Sequence, residues 1–351
     1  MARRVGVLTF HRCINYGSYW QARCLVEGLR HRGHDAVLLD HHSRRINIAE
    51  WRCALRPDPE ADRDLHRAAY VAKARAFFAA FDALPLSPPF PLEAPEQGGG
   101  YDVALVGSDE VWNLCHPWYG GAGLFYGDGL VAGRLASYAA SFGNQSAAGL
   151  DGYWSERLCR FDDISVRDGN SQRLVANATG RQPSLVLDPC LQFADQVPPG
   201  STTDARYAVV YGHGFPGWFK EAIRTWAQGR HVRLLSVGYD NPWADEQRIE
   251  AGPQEFAALM AGATAVATNF FHGCVFALLN GKPFVTAPSD YRFNKVRDLV
   301  ALIGGERHMV SQATKAGQYE DILGTSLEPS IGERIGQLRA QSDAYLDHVL
   351  N

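Results

Sequence analysis

Short apolar runs alternate with longer stretches of helical spacing along most of this chain. Val5–Phe10 is a compact apolar run, the signature of a buried strand. His11–Gly17 breaks it, and from Ser18 to His31 the apolar positions Trp20, Cys24, Leu25 and Leu29 predict a helix. Gly33 ends that helix and Asp35–Asp40 reads as the next strand, so the chain opens with a βαβ unit and a parallel sheet. Further strands are predicted at Tyr101–Val106, Leu135–Gly143, Asp163–Asp168 and Ser184–Pro189, with helices at Leu150–Arg160 and near Ser171–Asn177. Residues 41–100 carry the weakest pattern: an amphipathic helix over Asp62–Ala83, then a Pro-rich connection over Leu84–Gly100. The alternation resumes with strands at Arg206–Tyr211, Val232–Val237, Thr264–Thr268 and Lys282–Val285. Helices are predicted at Trp218–Gln228, Pro253–Ala261, His272–Leu279, Tyr291–Ile303 and Ile331–Leu350.

The stretch Phe193–Ala205, with Pro198-Pro199-Gly200 followed by Ser-Thr-Thr, reads as the boundary between two such series. The expected organisation is an N-terminal Rossmann-like domain over 1–195, a C-terminal Rossmann-like domain over 206–330, and a terminal helix over 331–351 that closes the fold. Two parallel-sheet α/β domains facing across a cleft make a GT-B-like architecture. Composition agrees with a soluble globular protein: of 351 residues, 46% are hydrophobic and 21% charged. A net charge of −4 without a basic run gives no nucleic-acid footprint. Seven cysteines without a Cys-x-x-Cys pair argue for reduced thiols and against a zinc site. No apolar run reaches membrane-spanning length, and the first residues lack a signal-peptide core, so the expectation is a cytoplasmic protein without a bound metal.

Candidate chemistry gathers where predicted strands end. His272 falls in the first turn of a helix that follows the Thr264–Thr268 strand, next to Thr268, Asn269 and Gly273. Backbone N–H groups and the helix dipole favour an anion there, and a His beside a bound anion suits a general acid or base. A His that only caps its helix would carry the same sequence. Asn15, Tyr16, Gly17 and Gln21 offer amide and phenol groups in the first βα loop, where simple turn chemistry is the alternative. After the Tyr101–Val106 strand, Gly107 lets a ligand approach the backbone, Ser108, Asp109 and Asn113 supply polar groups, and Trp112 offers a flat face to a sugar ring. A helix start capped by Ser or Asp would look similar. Arg167 ends another strand and can fork onto a phosphate or carboxylate, unless it pairs with the adjacent Asp168.

Six segments in this order resemble the polysaccharide pyruvyl transferase family: Asn15–Gln21, Val106–Asn113, Ser137–Gly143, Ile164–Asp168, Val186–Pro189, and Phe271–Gly273 with Lys282–Phe284. The resemblance implies transfer of a pyruvyl group from phosphoenolpyruvate to two hydroxyls of a polysaccharide or glycolipid precursor, as a ketal. It implies no cofactor beyond that donor substrate, with the acceptor on the N-terminal side and the donor on the C-terminal side. His272 matches the family's cleft histidine and Arg167 its strand-end arginine; Lys282 joins the substrate-binding set. The partners implied are phosphoenolpyruvate and a glycan or lipid-linked saccharide. Two departures stand out. Glu110 replaces a Gln, and Phe270 occupies a position where glycan-modifying members carry Arg, while other members read Ser-Phe-His. A cation from elsewhere, Lys282, Arg292, Lys295 or Arg297, then has to meet the donor. A nucleotide-sugar glycosyltransferase of the same fold and a non-catalytic member are the competing readings. Acceptor, linkage, stereochemistry and oligomeric state are not encoded in any of these segments.

Overall fold

A computed structural model describes residues 2–57, 66–145, 150–199 and 206–351. The chain forms two compact units, the first comprising Met1–Glu50, Ala83–Gln196 and Ile335–Asn351, the second Trp51–Asp82 and Val197–Arg334. Each is an α/β unit on a parallel sheet, the GT-B-like class expected. The units interleave along the chain, because 51–82 groups with the second unit and the end of the chain with the first.

In the first unit the sheet contains β1 (Arg4–Leu8), β2 (Asp35–Leu38), β3 (Gly100–Val106) and β4 (Val131–Ser137), in the order β2-β1-β3-β4. Every pairing is parallel, with Val5 opposite both Ala36 and Val103. A two-residue ladder, Ser165–Val166 with Ser184–Leu185, runs beyond β4, much shorter than the predicted strands there. The predicted Leu135–Gly143 strand also ends early, at Ser137, and its remainder is the loop that follows β4. Central strands such as β1 read as continuous apolar runs because both faces are covered. Helix α1 (Tyr16–His31) crosses from β1 to β2, with Asn15 at its N-cap accepting from Ser18 N–H. A core of Leu8, Phe10, Val106, Trp112, Phe125, Phe142, Phe161 and Leu174 fills the unit. The terminal helix Pro329–Leu350 docks here from Ile335 onward: Tyr345 donates to Ser137 O at 2.7 Å, and Leu187 N–H donates to Ser342 Oγ at 2.9 Å.

The second unit carries β5 (Tyr207–Tyr211), β6 (Arg233–Val237), β7 (Glu246–Arg248), β8 (Ala265–Thr268) and β9 (Phe284–Thr286), ordered β7-β6-β5-β8-β9 and all parallel. Helix α2 (Phe271–Leu279) joins β8 to β9 and is buried from Phe271 to Leu278, which explains its almost wholly apolar sequence. The expected Asp62–Ala83 helix is observed as Arg67–Phe81; residues 62–65 lie outside the described residues. Among the described residues, no helix is long and apolar enough to cross a membrane.

One buried histidine makes the first unit sensitive to acid. His41 Nε2 lies 3.0 Å from the Thr9 carbonyl oxygen, which only accepts, so the neutral ring carries its proton on Nε2. Burial first, and then the neighbouring His11, lower its pKa from 6.5 to about 3. As pH falls, the unfolded chain therefore takes up this proton before the folded one does. Stability is expected to decline from about pH 6.5 down to about pH 3 on this account. Urea unfolding across that range should show the slope in wild type and a flatter profile in His41→Gln, which keeps a donor for Thr9.

Candidate active site

An open parallel sheet gathers ligands at the carboxyl ends of its strands, where the strand order reverses. In the first unit that point lies between β1 and β3. Thr9, just past β1, donates from Oγ1 to the Ser108 carbonyl, just past β3, at 2.8 Å. Gln21, fully buried on α1, donates through Nε2 to Thr9 Oγ1 at 3.0 Å and to Ser18 O at 2.9 Å, and accepts from Ser108 Oγ at 3.1 Å. Gly107 has φ +116°, and a Cβ there would lie 2.2 Å from the Tyr138 carbonyl oxygen, so the loop after β3 requires glycine. Asp109 is held at φ 76°, a left-handed conformation that aspartate tolerates better than most residues, and receives Ser18 Oγ–H at 2.8 Å. Asn113 donates to Glu110 Oε2 at 2.8 Å. Tyr16, Gly17, Gln21, Gly107, Ser108, Asp109 and Asn113 are thus buried together in this unit, while Asn15 is half-buried and engaged as the α1 cap.

Arg167 meets this network at its carboxylates. Its Nη2 lies 3.1 Å from Asp109 Oδ1 and its Nη1 2.9 Å from Asp188 Oδ2. Burial opposes the charge, but Asp109, Asp188, Glu110 and Asp168 outweigh it and raise the arginine's pKa. Where an anion was expected, both terminal nitrogens of the fork face aspartates. The alternative, a pair with the adjacent Asp168, gives way to these two aspartates. Asp168 caps the following helix, accepting from Ser171 N–H at 2.7 Å and from Ser141 Oγ–H at 2.7 Å. Trp112 also departs from expectation. It is fully buried, donates its indole N–H to Phe125 O at 2.8 Å, and packs against Phe142 and Phe161, which leaves no face for a sugar.

Beside this region lies a cluster that sequence reading did not single out. His11 Nε2 is 3.0 Å from Asp40 Oδ1, and Arg12 forks onto both oxygens of Asp40 at 2.6 and 2.8 Å. Burial would raise the Asp40 pKa, but Arg12 and His11 hold it far below the usual carboxylate range. The available signal was positional: His11 and Arg12 follow β1, and Asp40 follows β2, at the same sheet edge.

In the second unit the strand order reverses between β5 and β8. Asn269, past β8, donates from Nδ2 to His213 O, past β5, at 2.7 Å. Thr268 ties the two strands by donating Oγ1–H to Tyr211 O at 2.6 Å, and its Oγ1 accepts Phe270 N–H at 3.0 Å. A Cβ on Gly273 would lie 2.1 Å from Thr268 Oγ1, so this glycine lets the first turn of α2 approach the strand. Phe270 is the N-cap residue and makes no side-chain capping bond. His272 is the second residue of α2, buried, with its ring 5.2 Å from that of Phe271. Thr268, Asn269, Gly273 and His272 are therefore neighbours. Lys282 is not among them. It follows the C-terminal end of α2 and precedes β9, at the opposite edge of the sheet, about 13 Å away at 1.5 Å per residue along a nine-residue helix.

Phe270 sits within a ring of aromatics. Tyr211, His213 and Tyr239 lie 5.0, 5.5 and 5.2 Å from it, each nearly perpendicular. Two cations attach to this cluster: Arg292 lies over the Phe270 ring at 4.3 Å, and Lys73 over the Tyr239 ring at 4.4 Å. Lys73 is almost fully buried and donates to Gly238 O at 2.8 Å.

Comparison with known proteins agrees with this architecture. The chain is similar in fold to a proposed UDP-N-acetylglucosamine 2-epimerase of Listeria monocytogenes, with a TM-score of 0.51 at 11% identity, covering 97% of this chain and 91% of that one. It is similarly related to S. aureus MnaA, determined as a co-structure with UDP, at a TM-score of 0.51 and 11% identity over 99% and 96% of the two chains. At such identities the likeness is one of fold alone. No curated protein matches the sequence. The profile of polysaccharide pyruvyl transferases matches residues 15–291, a span that takes in Ser18, Gln21, Ser108 and Asp109 of the first unit's polar network as well as the His272 turn. The chain belongs to the polysaccharide pyruvyl transferase family.

Proposed function

We propose that this protein transfers the pyruvyl group of phosphoenolpyruvate onto two hydroxyls of a polysaccharide or glycolipid precursor, forming a ketal. The observation that carries the reading is His272, held in the first turn of α2 at the strand-order reversal of the second unit, within a segment the family profile covers. His272 protonates the methylene carbon of phosphoenolpyruvate, which leaves an oxocarbenium-like centre at the adjacent carbon. One sugar hydroxyl attacks that centre and returns its proton to His272. Phosphate then departs, and the second hydroxyl closes the ring, its proton leaving with the phosphate. The products are one ketal and one inorganic phosphate.

The two sheet edges differ in the way this chemistry needs. Around Asp109 the first unit offers hydroxyls, amides and carboxylates, with several acidic groups around Arg167. That character suits a polyhydroxylated acceptor better than an anion. The second unit offers a helix N-terminus and a cation, Arg292, on the Phe270 ring, which suits the phosphate and carboxylate of the donor. In this reading Arg167 braces the acceptor edge rather than clamping the donor.

The test is incubation of the purified protein with phosphoenolpyruvate and a panel of saccharide acceptors. Phosphate release matched by an acid-labile carboxylated saccharide in the mass spectrum is the expected result. Release of a nucleotide from a sugar donor, with phosphoenolpyruvate untouched, would instead make it a glycosyltransferase.

A further inference from the structure

We infer that Arg292, carried on the face of Phe270, is the anion-binding cation of the second unit's ligand edge. The inference rests on the donor reading above and names the residue that gives this edge its charge. Position 270 is the N-cap of α2, two residues before His272, and it holds a phenyl ring where an arginine would have placed charge directly. The ring itself attracts a cation through its negative face, and the guanidinium carbon of Arg292 lies 4.3 Å from the ring centroid. A Ser289 hydroxyl holds the same side chain from below, accepting from Nη1 at 3.1 Å. Ser289 and Arg292 follow β9, so the cation reaches the mouth of α2 from the neighbouring strand end.

The other cations of the region do not match this geometry. Lys282 is at the far edge of the sheet. Arg297 forks onto the carboxylate of its neighbour Asp298 at 2.6 and 2.8 Å. Lys295 extends over the Tyr291 ring at 5.7 Å. Lys73 is almost fully buried, with its ammonium on Tyr239 and on the Gly238 carbonyl. Phe270 in turn is fixed by Tyr211, His213 and Tyr239, so its face is a rigid support rather than a mobile side chain. A planar guanidinium carries several N–H donors in one fork, the geometry suited to a phosphate or carboxylate. Phe270 is thus a positioning residue and Arg292 a binding residue.

The experiment is calorimetric binding of phosphoenolpyruvate and of inorganic phosphate to wild type, Arg292→Met, Phe270→Leu and the double variant, with melting temperatures alongside. Arg292→Met should weaken both ligands by about 10- to 100-fold, the worth of one hydrogen-bonded charge, with the protein still folded and only a small drop in melting temperature from the lost Phe270 and Ser289 contacts. Phe270→Leu should weaken them by a smaller factor. The double variant should bind no worse than Arg292→Met alone, because the ring acts only through the guanidinium. Equal affinities in wild type and Arg292→Met would overturn the inference, as would a wild type that binds neither ligand. A wild type that binds both through Arg292 yet forms no ketal would overturn the pyruvyl transfer reading and leave Arg292 in place.

Discussion

His272→Gln is expected to leave the protein folded and to lower single-turnover pyruvyl transfer by roughly 10²–10⁴, the usual worth of general acid–base catalysis. Glutamine keeps much of the size and the hydrogen-bonding capacity of the imidazole but cannot deliver a proton to carbon. The competing role is capping, and the structure sharpens the contrast. Phe270 occupies the N-cap, while His272 lies two residues further on, in the first turn of α2. A lost cap would lower stability by about 1 kcal/mol and leave the rate unchanged. Measuring melting temperature and single-turnover rate on one preparation separates the two. A destabilised variant with wild-type rate would falsify the catalytic assignment.

How legible this protein is in its sequence depends on the range of the interaction. Most of the parallel strands and the α2 turn follow from local apolar runs and breakers and are visible in the sequence; β7 is not, because Glu246–Arg248 contains no apolar residue. Helix Arg44–Leu55 is not, because it buries only Ile46 and Glu50 and so carries almost no apolar stripe. The interleaving of the two units is equally hidden, since 51–82 joins the second unit through contacts such as Lys73 with Gly238, 165 residues apart. Site residues divide in the same way. That polar groups crowd the strand ends after β1, β3 and β8 is a local fact. Which way a side chain turns there is not: Trp112 turns into the core, and Lys282 lies at the wrong edge because a parallel crossover returns the chain to the strand beginnings. Asp168 is the obvious partner of Arg167 by proximity in sequence. The actual partners, Asp109 and Asp188, are 58 and 21 residues away. Phe270 stands out as a departure from an arginine, but only the fold brings Arg292 onto its face.

Arg167→Met is expected to be the most destabilising of these substitutions, at about 3–5 kcal/mol, the range for removing one partner of a buried ion pair. Arg167 is 3% exposed, and it separates Asp109 from Asp188, both buried themselves. Methionine fills most of the arginine's volume, so packing changes little. What remains is two carboxylates facing an apolar side chain, with Asp168 and Glu110 close enough to add repulsion. Lysine should recover only part of the loss, because one ammonium cannot serve two aspartates as a fork does. Acidification gives the sign test. Protonating the stranded carboxylates removes the repulsion, so the stability gap between wild type and variant should narrow as pH falls toward the carboxylate range. Adding Asp188→Asn to Arg167→Met should narrow it already at neutral pH. Denaturant unfolding of the four proteins at neutral and acidic pH measures all of this. An anion clamp predicts the opposite pattern: unchanged unfolding curves in Arg167→Met and a weaker affinity for phosphoenolpyruvate. That outcome would return Arg167 to the donor side and leave the acidic network around Asp109 without the brace assigned to it.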